Sequence, residues 1–258
     1  MNAAKLKVFQ FPCRDDNYGV ILHDPDGDLV ISIDAPELEP IEDVLQSKNL
    51  DLSHILTTHK HPDHVAGNEA LKAKYGCWVI GPADEADNIP GLDQSVSDGE
   101  QIELNGHRID VLGAPGHTLG QIVYSFPDQK LLFAADALFA LGCGRLFEGT
   151  PAMMHETLQR FAQLPDDTSV YAGHEYTLAN ARFAVSVDPD NEELAARARE
   201  IELLRDDGKP TLPTSIGLEK RTNPFMRPHD PAIRQQLGMA DASDVDVFAE
   251  IRARKDRF

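Results

Sequence analysis

Between His59 and His64, three histidines and an aspartate (His59, His61, Asp63, His64) stand within six residues, at the exit of the strand-type run Ile55-Leu56-Thr57-Thr58. Imidazole nitrogen and carboxylate oxygen, with no thiolate beside them, are ligands for zinc, iron or manganese. His59 and His61, two apart at a strand end, can face one way, whereas the adjacent Asp63 and His64, with Pro62 suited to a helix's first turn, must diverge. Divergence predicts two ions, about 3.5–4 Å apart, with a hydroxide between them, and hydrolysis is the natural chemistry of such a pair. The bland alternative is a solvated, His-rich turn, which would gather mutually repelling imidazolium groups without compensation.

Two coordination shells need more donors, and the sequence offers them at other element ends: His117 after Ile109–Leu112, Asp136 after Leu131–Phe133, and His174 after Val170 and Tyr171. Gly116, Ala135 and Gly173 beside them are small enough for close backbone approach. Asp136 sits within an apolar run, a costly place for an unpaired carboxylate, and bridging two cations would remove that cost.

The elements that must position these residues follow from pattern and punctuation. Strand-type runs occupy residues 7–11, 19–22, 29–33 and 54–57, with an amphipathic helix over Glu37–Ser47. A second strand-rich stretch covers residues 78–80, 101–104, 108–112, 121–126 and 130–135, and Asn105-Gly106 reads as a hairpin turn. After about His174 the pattern becomes helical, over Thr177–Val187, Asn191–Arg205 and Ala242–Arg254. Interleaved strands and helices predict a mixed α and β class with a helical appendage, and a boundary at residues 174–176.

The chain has 258 residues and a net charge of −19, with 24 Lys and Arg against 43 Asp and Glu. Such a balance repels a nucleic-acid backbone, so an anionic partner needs its own basic pocket. No run approaches the roughly 18–20 apolar residues of a membrane span. The start lacks an apolar leader, so cytoplasm is the expected compartment. Cys13, Cys77 and Cys143 form no CxxC pair and read as ordinary thiols, with only a remote redox role for Cys143. His23, His54, His107, His155 and His229 are left without a role, and Trp78 is expected in the core.

Thr58-His59-Lys60-His61-Pro62-Asp63-His64 resembles the signature of the metallo-β-lactamase superfamily, and within it the hydroxyacylglutathione hydrolases (glyoxalase II). The resemblance spans essentially the whole chain and includes Asp16-Asn17-Tyr18, Gly142-Cys143-Gly144-Arg145, Gly173-His174-Glu175-Tyr176 and Asn223-Pro224-Phe225-Met226-Arg227. It implies an α+β fold, an αββα sandwich with a C-terminal α-helical domain, divided as a catalytic domain at 1–174 and a substrate-binding domain at 175–258. It also implies that His59, His61 and His117 hold one metal, that Asp63, His64 and His174 hold the other, and that Asp136 bridges them. The ions are expected to be zinc, with iron or manganese as alternatives.

By the same resemblance Arg252 and Lys255 hold the glycine carboxylate of glutathione, and Arg145, Phe147 and Tyr176 line the substrate site. The family commonly has lysine where Arg145 stands, and tyrosine in some members where Phe147 stands. Without the family, Ile251–Phe258 already carries four basic residues and one acidic, and the alternative there is a last helical turn complementing its dipole. The implied reaction is hydrolysis of S-D-lactoylglutathione to D-lactate and glutathione by a monomer, with Asp63 orienting the attacking hydroxide and Asp136 holding the ions. Competing readings are a persulfide dioxygenase, another hydrolase such as a lactonase or β-lactamase, and a metal-binding protein without turnover.

Overall fold

Short apolar runs separated by turn residues make the first half of the chain strand-rich in the computed structural model, which describes residues 5–258. The first four residues, part of the start read above as lacking a leader, lie outside the described residues. The chain divides into two compact units, Met1–Ala114 with Gly120–Phe133 and Pro115–Leu119 with Ala134–Phe258.

In the first unit, β1 (Lys7–Cys13), β2 (Asn17–His23), β3 (Val30–Ile33), β4 (His54–Leu56), β5 (Trp78–Pro82) and β6 (Gln94–Val96) form one sheet in that order. The first three strands are antiparallel, and β3 to β6 run parallel. The connections between the parallel strands carry α1 (Leu38–Lys48), α2 (Pro62–Val65) and α3 (Asn68–Tyr75). Ile41, Leu45 and Leu71 of these helices pack on Ile21, Val30, Ile55 and Val79, which is why β3 and β4 read as continuous apolar runs.

The second sheet of this unit is antiparallel: β7 (Gln101–Leu104), β8 (His107–Gly113), β9 (Ile122–Phe126) and β10 (Leu131–Ala135). Asn105 and Gly106 join β7 to β8 with φ of 53° and 81°, the left-handed pair of a tight hairpin turn. The sheets meet at Tyr124 of β9, fully buried, whose phenol donates to the Thr57 carbonyl at 2.8 Å. This is a sheet-on-sheet core with helices outside, the α+β class expected.

The second unit begins its own structure with a tight hairpin, β11 (Leu138–Phe139) and β12 (Gly142–Cys143). It continues through α4 (Pro151–Phe161), β13 (Ser169–Ala172), α5 (Thr177–Val187), α6 (Glu192–Asp206), β14 (Thr214–Ser215), α7 (Ile216–Thr222), α8 (Pro231–Leu237) and α9 (Asp244–Arg257). α5 occupies its expected bounds, while α6 and α9 start slightly later than expected because Asn191 and Ser243 serve as N-caps, accepting from the Leu194 and Asp246 amides. Ala181, Ala184, Leu194 and Ile201 of α5 and α6 pack around Leu141 at the hairpin turn. Trp78 departs from expectation: it opens β5 and is 50% exposed, with Cys77 before it taking the buried position. Among the described residues no helix is long and apolar enough to cross a membrane.

Candidate metal centre

β4 is a buried central strand whose chain emerges at Thr57, Thr58 and His59, all fully buried. Pro62 then fits the first turn of α2, with extended His61 as its N-cap, so Asp63 and His64 turn away from the histidines before them. The His59 Nε2 lies 3.1 Å from His61 Nδ1, the rings of His59 and His64 are 4.1 Å apart, and His64 Nε2 lies 3.6 Å from Asp63 Oδ2.

Asp34, just after β3, fixes which nitrogen each imidazole presents. Its carboxylate accepts from the Thr58 amide at 2.7 Å, the Thr58 hydroxyl at 2.9 Å and His64 Nδ1 at 2.8 Å. A carboxylate only accepts, so His64 carries its proton on Nδ1 and presents the Nε2 lone pair. The Thr58 hydroxyl proton is committed to Asp34, so its oxygen accepts from His59 Nδ1 at 3.1 Å, and His59 likewise presents Nε2. Such outer partners orient metal-binding histidines and fix their tautomers. Asn17 donates to Asp63 Oδ2 at 3.0 Å, and buried Glu85 accepts from the Lys60 amide at 2.6 Å, holding the loop between the two histidines.

Three further donors belong to the second unit. His117 Nδ1 donates to the Arg145 carbonyl at 2.8 Å, which again leaves Nε2 as the lone-pair nitrogen. His117 Nε2 and His174 Nε2 lie 3.4 and 3.3 Å from one oxygen, Asp136 Oδ2. Two imidazole nitrogens against one carboxylate oxygen, all three residues buried, suit a carboxylate that touches more than one cation. In each unit the donors are nitrogen and oxygen, which suits divalent ions, and His59, His64 and His117 hold the tautomer that coordination requires.

The substrate residues expected from the sequence lie in the same unit. The Tyr176 ring stacks on His174 at 4.8 Å, and Phe147, 63% exposed, lies 5.2 Å from His117. Arg145 is exposed. Arg252 is buried, donates to the Cys143 carbonyl at 3.0 Å and pairs with Asp256 at 2.8 Å. Lys255 donates to the Ala179 carbonyl at 3.1 Å, and its ammonium is held below the ordinary lysine value by burial first, then by Arg252 and Arg145. Burial pushes the Cys143 thiol up to about 11, so it is no nucleophile near neutral pH.

Asp34, Glu85 and the Arg145 carbonyl were not singled out from the sequence. Asp34 carried a usable signal, a carboxylate directly after the apolar strand Val30–Ile33, the same one that marked Asp136. Glu85 and the Arg145 carbonyl carried none, because only folding brings them to Lys60 and His117.

Residues 28–174 match the family model of the metallo-beta-lactamase superfamily, and residues 175–258 match that of the hydroxyacylglutathione hydrolase C-terminus. A hydroxyacylglutathione hydrolase of Rhizobium meliloti (strain 1021) is 58% identical over 255 residues, spanning 99% of this chain and 100% of its own. One from Brucella anthropi is 55% identical over 256 residues, spanning 99% and 98%. Among solved structures, ETHE1 from Myxococcus xanthus is similar with a TM-score of 0.68 and 26% identity over 96% of this chain and 90% of its own. TTHA1623, solved in a di-iron-bound form, shares the fold with a TM-score of 0.63 and 22% identity over 84% and 99%. The likeness covers the metal-ligand motif and the helical region alike, and the chain belongs to the hydroxyacylglutathione hydrolase family of the metallo-β-lactamase superfamily.

Proposed function

We propose that the protein hydrolyses S-D-lactoylglutathione to D-lactate and glutathione at a centre of two divalent ions, with zinc as the resident metal. The observation that carries this reading is the locked donor set: His59, His64 and His117 each have Nδ1 committed to an acceptor and Nε2 presented. His59, His61 and His117 would hold one ion and Asp63, His64 and His174 the other, with Asp136 serving both. Bound divalent ions supply Lewis acidity, lowering the pKa of water toward neutrality and accepting charge that develops on a carbonyl oxygen.

The protein's own groups do the rest. Asp63, steadied by Asn17, orients the attacking oxygen against the thioester carbonyl. Arg145, Arg252 and Lys255 provide the positive field an anionic glutathione thioester needs on a chain of net charge −19; Lys255 already feels the repulsion of the other two. Tyr176 offers its hydroxyl to the peptide part, and Phe147 offers an apolar face beside His117. A thiol with a pKa near 8.5 leaves without strong acid assistance, so no further general acid is required. Residues 1–174 act as the catalytic domain and 175–258 as the substrate-binding domain of a cytoplasmic monomer.

The test is the rate of S-D-lactoylglutathione hydrolysis by purified protein of known metal content, alongside Arg252→Ala/Lys255→Ala. Rapid turnover with KM raised in the double variant supports the assignment. No turnover from protein holding two ions discards the substrate.

A further inference from the structure

The hairpin β11–β12 lies between two parts of the proposed centre. Asp136 precedes it, and Arg145, whose carbonyl fixes the His117 tautomer, follows it. Phe139 of β11 packs 6.1 Å from the His174 ring and 5.3 Å from Tyr176. The hairpin is too short to hold itself: it pairs only Leu138 with Cys143 and Phe139 with Gly142, and Leu141 sits at φ 58°. A non-glycine residue there is strained and persists only when its surroundings impose it.

Those surroundings are side chains of the helical part. Asn223 donates its amide to the Gly142 carbonyl at 3.0 Å and the Phe139 carbonyl at 3.3 Å. Asn180 donates to the Ala140 carbonyl at 3.1 Å, and a Cβ on Gly142 would lie 2.5 Å from that amide nitrogen. Glu219, fully buried, accepts from the Leu141 amide at 2.8 Å and from Asn223 at 3.0 Å. Its other oxygen takes the Arg197 guanidinium at 2.5 Å and the Thr214 hydroxyl at 2.6 Å, so the buried charge is paired and its acceptors are used. The hairpin's buried carbonyls at 139, 140 and 142 and its amide at 141 thus all end on α5, α7 or the residue after α7.

We infer that Glu219, Asn223 and Asn180 are positioning residues: they clamp the β11–β12 hairpin so that Asp136 and the Arg145 carbonyl stand where the metal donors need them. The inference rests on the two-ion reading of the site. Loosening the hairpin moves the Arg145 carbonyl, frees the His117 tautomer and shifts Asp136, so the loss falls on metal affinity and kcat more than on KM. Loss of an outer partner of a metal ligand typically weakens binding about 10–100-fold.

The experiment compares Asn223→Ala and the milder Asn180→Ala with the wild type and with Arg234→Met in the full chain. Arg234 caps other loops of the same region through the Pro228 and Ala242 carbonyls and Asp244, none on the hairpin, so it controls for destabilisation. Zinc affinity is read by competition with a chromophoric chelator, beside Tm, kcat and KM. The clamp predicts zinc affinity about tenfold or more lower in Asn223→Ala, kcat lower and KM within about twofold, a smaller shift of the same sign in Asn180→Ala, and wild-type affinity in Arg234→Met. Wild-type affinity in both hairpin variants, or a loss equal to that of Arg234→Met at equal Tm, overturns it. Should Asn223→Ala fail to fold, Asn180→Ala decides. Zinc bound without thioester cleavage defeats the hydrolase reading alone, because the affinity comparison needs no substrate.

Discussion

Asp34→Asn is an isosteric change that removes one charge and reverses one hydrogen-bonding capacity. The carboxylate takes three donors, from the Thr58 amide, the Thr58 hydroxyl and His64 Nδ1, within 2.9 Å or less. An amide has one oxygen and an NH2, so at least one donor must face another donor or rotate away. Turning the NH2 toward His64 draws the proton from Nδ1 to Nε2 and removes the lone pair meant for the metal. In that arrangement the NH2 also meets the Thr58 hydroxyl, which shares Asp34 Oδ2 with His64 and accepts from His59, whereas turning it toward the Thr58 amide leaves a buried donor facing a donor. Either arrangement costs about 1–3 kcal/mol for the lost buried bond, and the altered tautomer lowers metal affinity about 10–100-fold, or about 1.4–2.8 kcal/mol. The assay is zinc competition with a chromophoric chelator, with Tm measured with and without metal. The metal-loaded variant should lose more Tm than the metal-free one, since bound metal stabilises the folded state. An Asp34→Asn protein that binds two ions as tightly as the wild type and turns over at full rate refutes the tautomer argument.

Gly144→Ala should lower both stability and activity. A Cβ there would lie 2.0 Å from the Asp136 backbone oxygen, so the backbone beside the proposed bridging carboxylate must move, at about 3 kcal/mol or more, readable as a fall in Tm and in metal content. Lys255 is held below its ordinary 10.5 by burial, Arg252 and Arg145, with Asp256 opposing, so its charge fades before pH 10.5. KM for an anionic thioester should therefore climb with pH below that point, and Lys255→Gln should flatten the climb. Between the lowered and ordinary values the unfolded chain binds more protons than the native one, so this group adds stability as pH rises through that window. A KM independent of pH over this range in the wild type contradicts a cationic role. Chelation should abolish hydrolysis and lower Tm, with both restored by zinc; activity that survives complete metal removal contradicts the assignment.

Much of the candidate site was legible before folding because the proposed coordination demands particular atoms. Histidines spaced by two with Asp63 and His64 behind Pro62 leave few other chemistries, and Asp136 inside an apolar run advertises a compensating charge. Strand runs, the Asn105-Gly106 turn and α5 were equally readable, since alternation and turn residues act locally. What the sequence did not disclose depends on distant pairings. Trp78 has a core residue's composition but opens its strand half exposed. β6, which opens with the exposed polar pair Gln94 and Ser95, exists only because β5 pairs with it. Glu219 looks like any helix-surface glutamate until Arg197, Thr214, Asn223 and the Leu141 amide converge on it.

The most direct test is diffraction from crystals of the metal-loaded protein, recorded on both sides of the metal's absorption edge. Two anomalous peaks about 3.5–4 Å apart are predicted, one against His59, His61 and His117, the other against Asp63, His64 and His174, with Asp136 touching both. A single fully occupied peak, or two peaks with Asp136 on neither, contradicts the binuclear assignment.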